Sequence, residues 1–74
     1  MKPDELKEWI DSLSSDIEFQ YRGVWGSICP FSRENISVSY GKKERTFSSI
    51  EDVMNTPFID GKAIKDVCEK FTFA

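Results

Sequence analysis

The chain has 74 residues, a formal net charge of −3, and a composition that is 39% hydrophobic and 14% aromatic. This length is that of one domain, and the aromatic residues supply enough apolar area for a packed core. We therefore predict a single α+β domain over residues 1–74 rather than a disordered segment. The acidic balance argues against a general nucleic-acid binder, which normally presents a basic face.

Metal and redox chemistry have little support in this composition. The chain has no histidine, and its two cysteines, Cys29 and Cys68, are far apart and form no CxxC motif. Zinc-finger spacing is absent, so we predict no metal site and no cofactor. We expect two reduced thiols, with a disulfide between them as the alternative.

The chain also carries no apolar run that would direct it to a membrane. Its first residues, MKPDELKEWI, do not resemble a signal peptide. No stretch approaches the roughly 20 apolar residues that a membrane-spanning helix needs. We therefore expect a cytoplasmic protein without a membrane partner.

The first third of the chain predicts a helix followed by a strand. Pro3 suits the first turn of a helix, and apolar residues recur at helical spacing from Leu6 to Leu13, which predicts an amphipathic helix over 3–14. Alternation of apolar and polar residues over 17–22 is then typical of a half-buried strand.

Residues 24–31 predict a second strand whose facing is ambiguous. Gly26 and Pro30 interrupt it, and a proline in a sheet is typical of an edge strand or a strand end. An exposed tryptophan on an edge strand is a common interface anchor, so Trp25 is the residue of most interest. The alternative is that Trp25 meets Trp9 in the core.

The second half of the chain predicts two more strands and two helices. Alternating residues indicate strands over 36–40 and 44–47, joined by a turn at Gly41. The resulting element order is α-β-β-β-β-α-α. It predicts an N-terminal helix, an antiparallel sheet of three to four strands, and two C-terminal helices. One face of the sheet needs a cover, and the three amphipathic helices are available to supply it.

Both C-terminal helices have candidate N-caps. Ser48 and Glu51 fit a capping box, in which the hydroxyl accepts from the backbone and the carboxylate reaches back. Asp60 is predicted to cap a last helix over 61–71.

Three segments also resemble known sequences. They are FQYRG at 19–23, FSSIED at 47–52 and IDGKAI at 59–64. On these segments the chain resembles a loose group of short hypothetical proteins of bacterial and phage genomes, over residues 17–71. The resemblance implies the α+β fold and no particular activity, because that group has none assigned.

No constellation in the sequence predicts catalysis. Neither cysteine has a histidine to act as its base, and the acidic pair Glu51 and Asp52 is explained by the preference of carboxylates for the first turn of a helix. We therefore predict a non-enzymatic module that binds another protein or a second copy of itself.

The predicted contact surface is the sheet edge near residues 25–31. Its candidate residues are Trp25, Cys29, Phe31 and Tyr40. The alternative function is that of a nucleic-acid-associated or regulatory protein that uses a local basic cluster. The cluster would comprise Arg22, Arg33, Lys42, Lys43 and Arg45.

Overall fold

The computed structural model describes all residues from 1 to 74. The helices are α1 (Pro3–Asp11), α2 (Ile50–Asn55) and α3 (Ile64–Val67), and a turn of 3₁₀ helix over Cys68–Lys70 continues the last one. The strands are β1 (Ile17–Tyr21), β2 (Val24–Ser32), β3 (Asn35–Tyr40), β4 (Lys43–Phe47), β5 (Pro57–Ile59), β6 (Lys62–Ala63) and β7 (Thr72–Phe73). The predicted α+β class is confirmed, although the layout differs from the predicted one at the C-terminal end.

The main sheet has five strands in the order β4-β3-β2-β1-β7, and all neighbours are antiparallel. Strand β2 is thus the central strand, and the prediction that residues 24–31 form a sheet edge is wrong. The sheet accommodates Pro30 because the pairing of β2 with β3 shifts register between Pro30 and Ser32. Such an irregularity is a place where a strand tolerates a residue without an N–H.

One face of this sheet is covered by the three helices and the β5-β6 hairpin. The alternation predicted for β1 is confirmed, because Ile17, Phe19 and Tyr21 are buried and Glu18 is exposed. Sixteen buried residues form one core: Leu6, Ile10, Ile17, Phe19, Tyr21, Ile28, Ile36, Val38, Phe47, Val53, Met54, Ile59, Ile64, Val67, Cys68 and Phe71. The core residues that lie on strands of the main sheet all belong to the helix-covered face.

The ring of Phe19 lies directly on the backbone of the central strand. Phe19 is paired with Gly26 across β1 and β2, and its ring stacks on Phe71 with centroids 4.2 Å apart. A Cβ at position 26 would lie 2.5 Å from Phe19 Cζ and 2.6 Å from the Ser39 carbonyl oxygen. Glycine is therefore needed here because of close packing, and the interruption in the strand pattern has a structural cause.

The C-terminal segment contains a hairpin and a strand where one long helix is predicted. Asp60 and Gly61 have positive φ values of +54° and +77° and join β5 to β6. Asp-Gly is a preferred pair for a type I′ hairpin turn, and this turn chemistry outweighs the predicted helix cap. The predicted helix over 61–71 is wrong in extent, since α3 ends at Val67 and Thr72 pairs with Gln20 as part of β7.

The two predicted helix boundaries near the N-terminus and after β4 also move. Helix α1 ends at Asp11, and Leu13 beyond it has a φ of +54°, which does not continue a helix. The cap of α2 is Ser49 rather than Ser48, because the Ser49 hydroxyl accepts from the Asp52 amide at 3.0 Å. The predicted capping box of Ser48 and Glu51 is therefore wrong, and α2 is capped by the Ser49 hydroxyl alone.

Adjacent serines give a matched test of this cap. Ser49→Ala should lower the free energy of unfolding by about 1 kcal/mol, because it leaves a helical N–H without its acceptor. Ser48→Ala removes an exposed hydroxyl with no such bond and should leave stability unchanged within about 0.5 kcal/mol. Chemical denaturation of both variants checks the assignment, and the reverse order of effects would restore the Ser48 cap.

Gly26→Ala should destabilise the domain at or above the upper end of the roughly 1–3 kcal/mol that overpacking a core costs. The reason is that the new methyl group meets backbone as well as a ring. Gly61→Ala is the matched control, because it meets no atom within 4 Å and adds only left-handed backbone strain of about 1–2 kcal/mol. Thermal unfolding should rank Gly26→Ala well below Gly61→Ala, and equal stability would contradict the close packing.

Candidate interaction surface

The second face of the main sheet carries none of the core. Over β1 to β4, strand alternation and register direct nine side chains away from the helices: Glu18, Gln20, Trp25, Ser27, Cys29, Ser37, Ser39, Glu44 and Thr46. None of these nine residues is buried. We call this surface the open face, and it is formed by β1 to β4.

Trp25 is the one large aromatic side chain on a regular strand position of the open face. It is 55% exposed, although its strand is paired on both sides. Its carbonyl oxygen accepts from the Gly41 amide at 2.9 Å, which fixes the backbone beneath the ring. Trp9 lies elsewhere and packs against Phe73 with centroids 5.4 Å apart, so the alternative of a Trp9–Trp25 core contact is wrong.

A shallow depression of about 290 Å³ adjoins the indole of Trp25. It is lined by Glu18, Trp25, Gly26, Ser27 and Ser39. The hydroxyls of Ser27 and Ser39 hydrogen bond to each other at 2.8 Å, so the floor is small and polar. The depression therefore combines an aromatic wall, two hydroxyls and a carboxylate.

The charge of the open face is negative. Glu18 lies opposite Ser27, which lies opposite Ser39, which lies opposite Glu44, so one row across four strands begins and ends with a carboxylate. Neither glutamate belongs to any of the three ion pairs of the fold. No lysine or arginine occupies a strand position on this face.

The four predicted interaction residues are only partly brought together. Cys29 shares the open face with Trp25, and its thiol lies 4.0 Å from the Ser27 hydroxyl. Phe31 is 72% exposed where β2 loses its regular register. Tyr40 lies on the helix-covered face, where its hydroxyl donates to the Tyr21 carbonyl oxygen at 2.8 Å and burial raises its pKa.

The predicted basic cluster is divided between different parts of the molecule. Arg22 lies in the β1-β2 turn at the same end of the sheet as the turn that contains Lys42, whereas Arg33 lies in the β2-β3 turn at the opposite end. Lys43 and Arg45 occupy the helix-covered side of β4, where the Arg45 guanidinium lies 5.2 Å from the Phe47 ring centroid.

Two of these arginines already have carboxylate partners. Arg22 pairs with Asp60 at 3.3 Å, which connects two hairpin turns. Arg33 pairs with Asp11 at 2.6 Å and ties the β2-β3 turn to the end of α1. Both ion pairs are exposed, so each contributes little to stability. Their main effect is that each arginine already has a carboxylate partner within the fold.

The two thiols are free and lie on opposite sides of the sheet. Cys29 is half-buried on the open face, whereas Cys68 is fully buried in the core under the helices. The sheet between them prevents a disulfide in this fold. Burial raises the pKa of both thiols, so each is less ionised at neutral pH than a free cysteine.

This arrangement predicts two slow thiols of different accessibility. Because the thiolate is the reactive form, Cys29 should react with a disulfide reagent at about pH 8 more slowly than free cysteine. Cys68 should react only in denaturant. Reaction kinetics of Cys29→Ser and Cys68→Ser separate the two, and a fast native-state reaction that persists in Cys29→Ser would contradict the buried position of Cys68.

Most of the open face was absent from the predicted site. The two glutamates and the serines were not predicted, although the alternation of Glu18 with Phe19 and of Ser37 and Ser39 with Val38 contained the signal. The missing information was the facing of β2, which the pairing of Gly26 with Phe19 determines.

Comparison with known proteins gives no relative from which a function could be transferred. No family model matches the chain, and neither a curated protein nor a solved structure matches it. None of the helices has the length and apolar character needed to cross a bilayer. No group of three or more His, Cys, Asp or Glu side chains is placed to hold a metal ion.

Proposed function

We propose that the protein is a small, non-enzymatic protein-interaction module that binds its partner through the open face. The observation that carries this proposal is the 55% exposed Trp25 on the central strand. Tryptophan is strongly enriched among the residues that dominate binding energy at protein interfaces. Covering an exposed indole with a partner removes apolar surface from water, and this burial stabilises the complex.

The open face is well suited to binding because it is already ordered. Strand β2 is paired along both sides, and the Gly41 amide adds a hydrogen bond to the Trp25 carbonyl oxygen. The hydrogen bond between the hydroxyls of Ser27 and Ser39 restricts the rotation of both side chains. A surface that is fixed before binding loses little conformational entropy on association.

The chemistry of the open face supports binding rather than catalysis. Its one thiol, that of Cys29, has no basic side chain beside it, and burial raises the pKa of this thiol. A catalytic thiol needs the opposite shift, toward the thiolate. We therefore assign Cys29 a packing role next to Ser27.

The alternative of a nucleic-acid-associated protein has less support. Its basic residues do not form one surface, and Arg22 and Arg33 are paired with Asp60 and Asp11. The face that carries the exposed tryptophan has carboxylates at its borders, which repel a phosphate backbone.

Capture experiments with matched variants test the proposed surface. Immobilised wild-type protein and Lys65→Ala, a change at an exposed position of α3, should retain the same proteins from a native extract. Trp25→Ala should lose them, since truncation of a central aromatic anchor typically weakens binding by about 2 kcal/mol or more. Circular dichroism confirms that Trp25→Ala is folded. Retention that is equal in all three proteins, or no retention by a strictly monomeric wild type, would contradict the proposal.

A further inference from the structure

We propose that the partner is a basic, extended segment of another protein, with a lysine or arginine side chain seated in the depression beside Trp25. This inference rests on the proposed function, because it names the partner chemistry of the same open face. In the proposed complex the aliphatic stem lies on the indole, and the cation pairs with the carboxylate of Glu18. The Ser27 and Ser39 hydroxyl oxygens accept further hydrogen bonds.

The contents of the depression select for a cation. The face of an indole attracts ammonium and guanidinium groups more strongly than any other aromatic ring does. Glu18 lines the same depression and has no basic partner in the fold. Long basic side chains bring an apolar stem and a charged head together, and this pairing matches an aromatic wall beside a carboxylate.

The second carboxylate sets an expected spacing in the partner. Glu18 and Glu44 lie in one row on β1 and β4, three strand spacings apart. Three spacings of about 4.8 Å make roughly 14 Å, and an extended chain advances about 3.3 Å per residue. Two basic residues four positions apart on a segment that crosses the strands would therefore reach both carboxylates from the same side.

A second copy of the chain fits this surface poorly. In a symmetric dimer the same patch faces itself, so the carboxylates of each copy would meet those of the other across an interface without bases. Four strands about 4.8 Å apart and about 20 Å long give the regular part of the open face an area of only about 400 Å². A stable complex needs about 800 Å² from each partner. A single segment uses a surface of this size more completely than a folded domain does.

Nuclear magnetic resonance titration of the full-length protein tests the proposal. The probe is a neutral-capped peptide of seven residues, Ser-Lys-Ser-Gly-Ser-Lys-Ser, and the control peptide has glutamate in place of both lysines. The lysine peptide should shift the Trp25 indole N–H and the Glu18 and Ser27 amides, and not residues of α1 or α3. Added salt should lower the affinity of the lysine peptide, since salt screens exposed ion pairs.

Charge variants identify the group responsible. Glu18→Gln should lower the affinity for the lysine peptide roughly two- to five-fold, the range expected for loss of an exposed ion pair. Glu69→Gln, at an exposed position outside the open face, should leave its affinity unchanged. The proposal is overturned if the glutamate peptide binds equally well, if Glu18→Gln has no effect, or if neither peptide shifts the open face.

These outcomes separate the partner chemistry from the proposed surface. If captured proteins need Trp25 but bind independently of Glu18, the proposed interaction function stands and the proposed basic segment is overturned. Dimerisation that Trp25→Ala abolishes would identify a second copy as the occupant and overturn the basic segment as well. Loss of Trp25-dependent capture altogether would overturn both proposals.

Discussion

The fold depends on the contact between the Phe19 ring and the bare backbone of Gly26. Because no side chain separates them, the ring packs closely against the central strand, and it stacks on Phe71 with an interplanar angle of 7°. Phe71 directly follows the 3₁₀ turn after α3, and the next two residues form β7, which pairs with β1. One aromatic contact thus joins the middle of the sheet to the end of the chain.

The two faces of the sheet differ strongly in the side chains that they carry. Aromatic and branched side chains fill the helix-covered side. The Phe19 ring lies 4.2 Å from Phe71 and 6.3 Å from Tyr40 between centroids, and the Tyr21 ring lies beside the same two rings. The other side of β2 and β3 carries small residues such as Ser27 and Ser39, which cannot bury enough apolar area to recruit a second layer. Trp25 remains exposed because its neighbours on the open face give it no pocket.

How much of this could be read from the sequence depended on the range of the interactions. Period-two alternation in β1 is a local signal, and the burial of Ile17 and the neighbouring apolar positions followed from it. The Asp60-Gly61 turn signal is also local, but an aspartate before a helical pattern is equally typical of an N-cap, so the local sequence alone does not distinguish a hairpin from a helix start. The two-residue β7 has no periodicity of its own, since it exists only through pairing with β1. The central position of β2 likewise required knowledge of which strand pairs with Phe19.

The placement of charge follows from the same topology and restricts where a partner can bind. In an antiparallel meander successive turns alternate between the two ends of the sheet, so Arg33 could not join Arg22. The exposed edge strand β4 carries Lys43 and Arg45, and charged side chains on an edge discourage the addition of another strand. The opposite edge is β7, which is only two residues long. Both edges are therefore unfavourable for strand addition, whereas the open face carries an exposed indole and two carboxylates without basic partners. These features are the basis of our proposal that the open face binds a cationic partner.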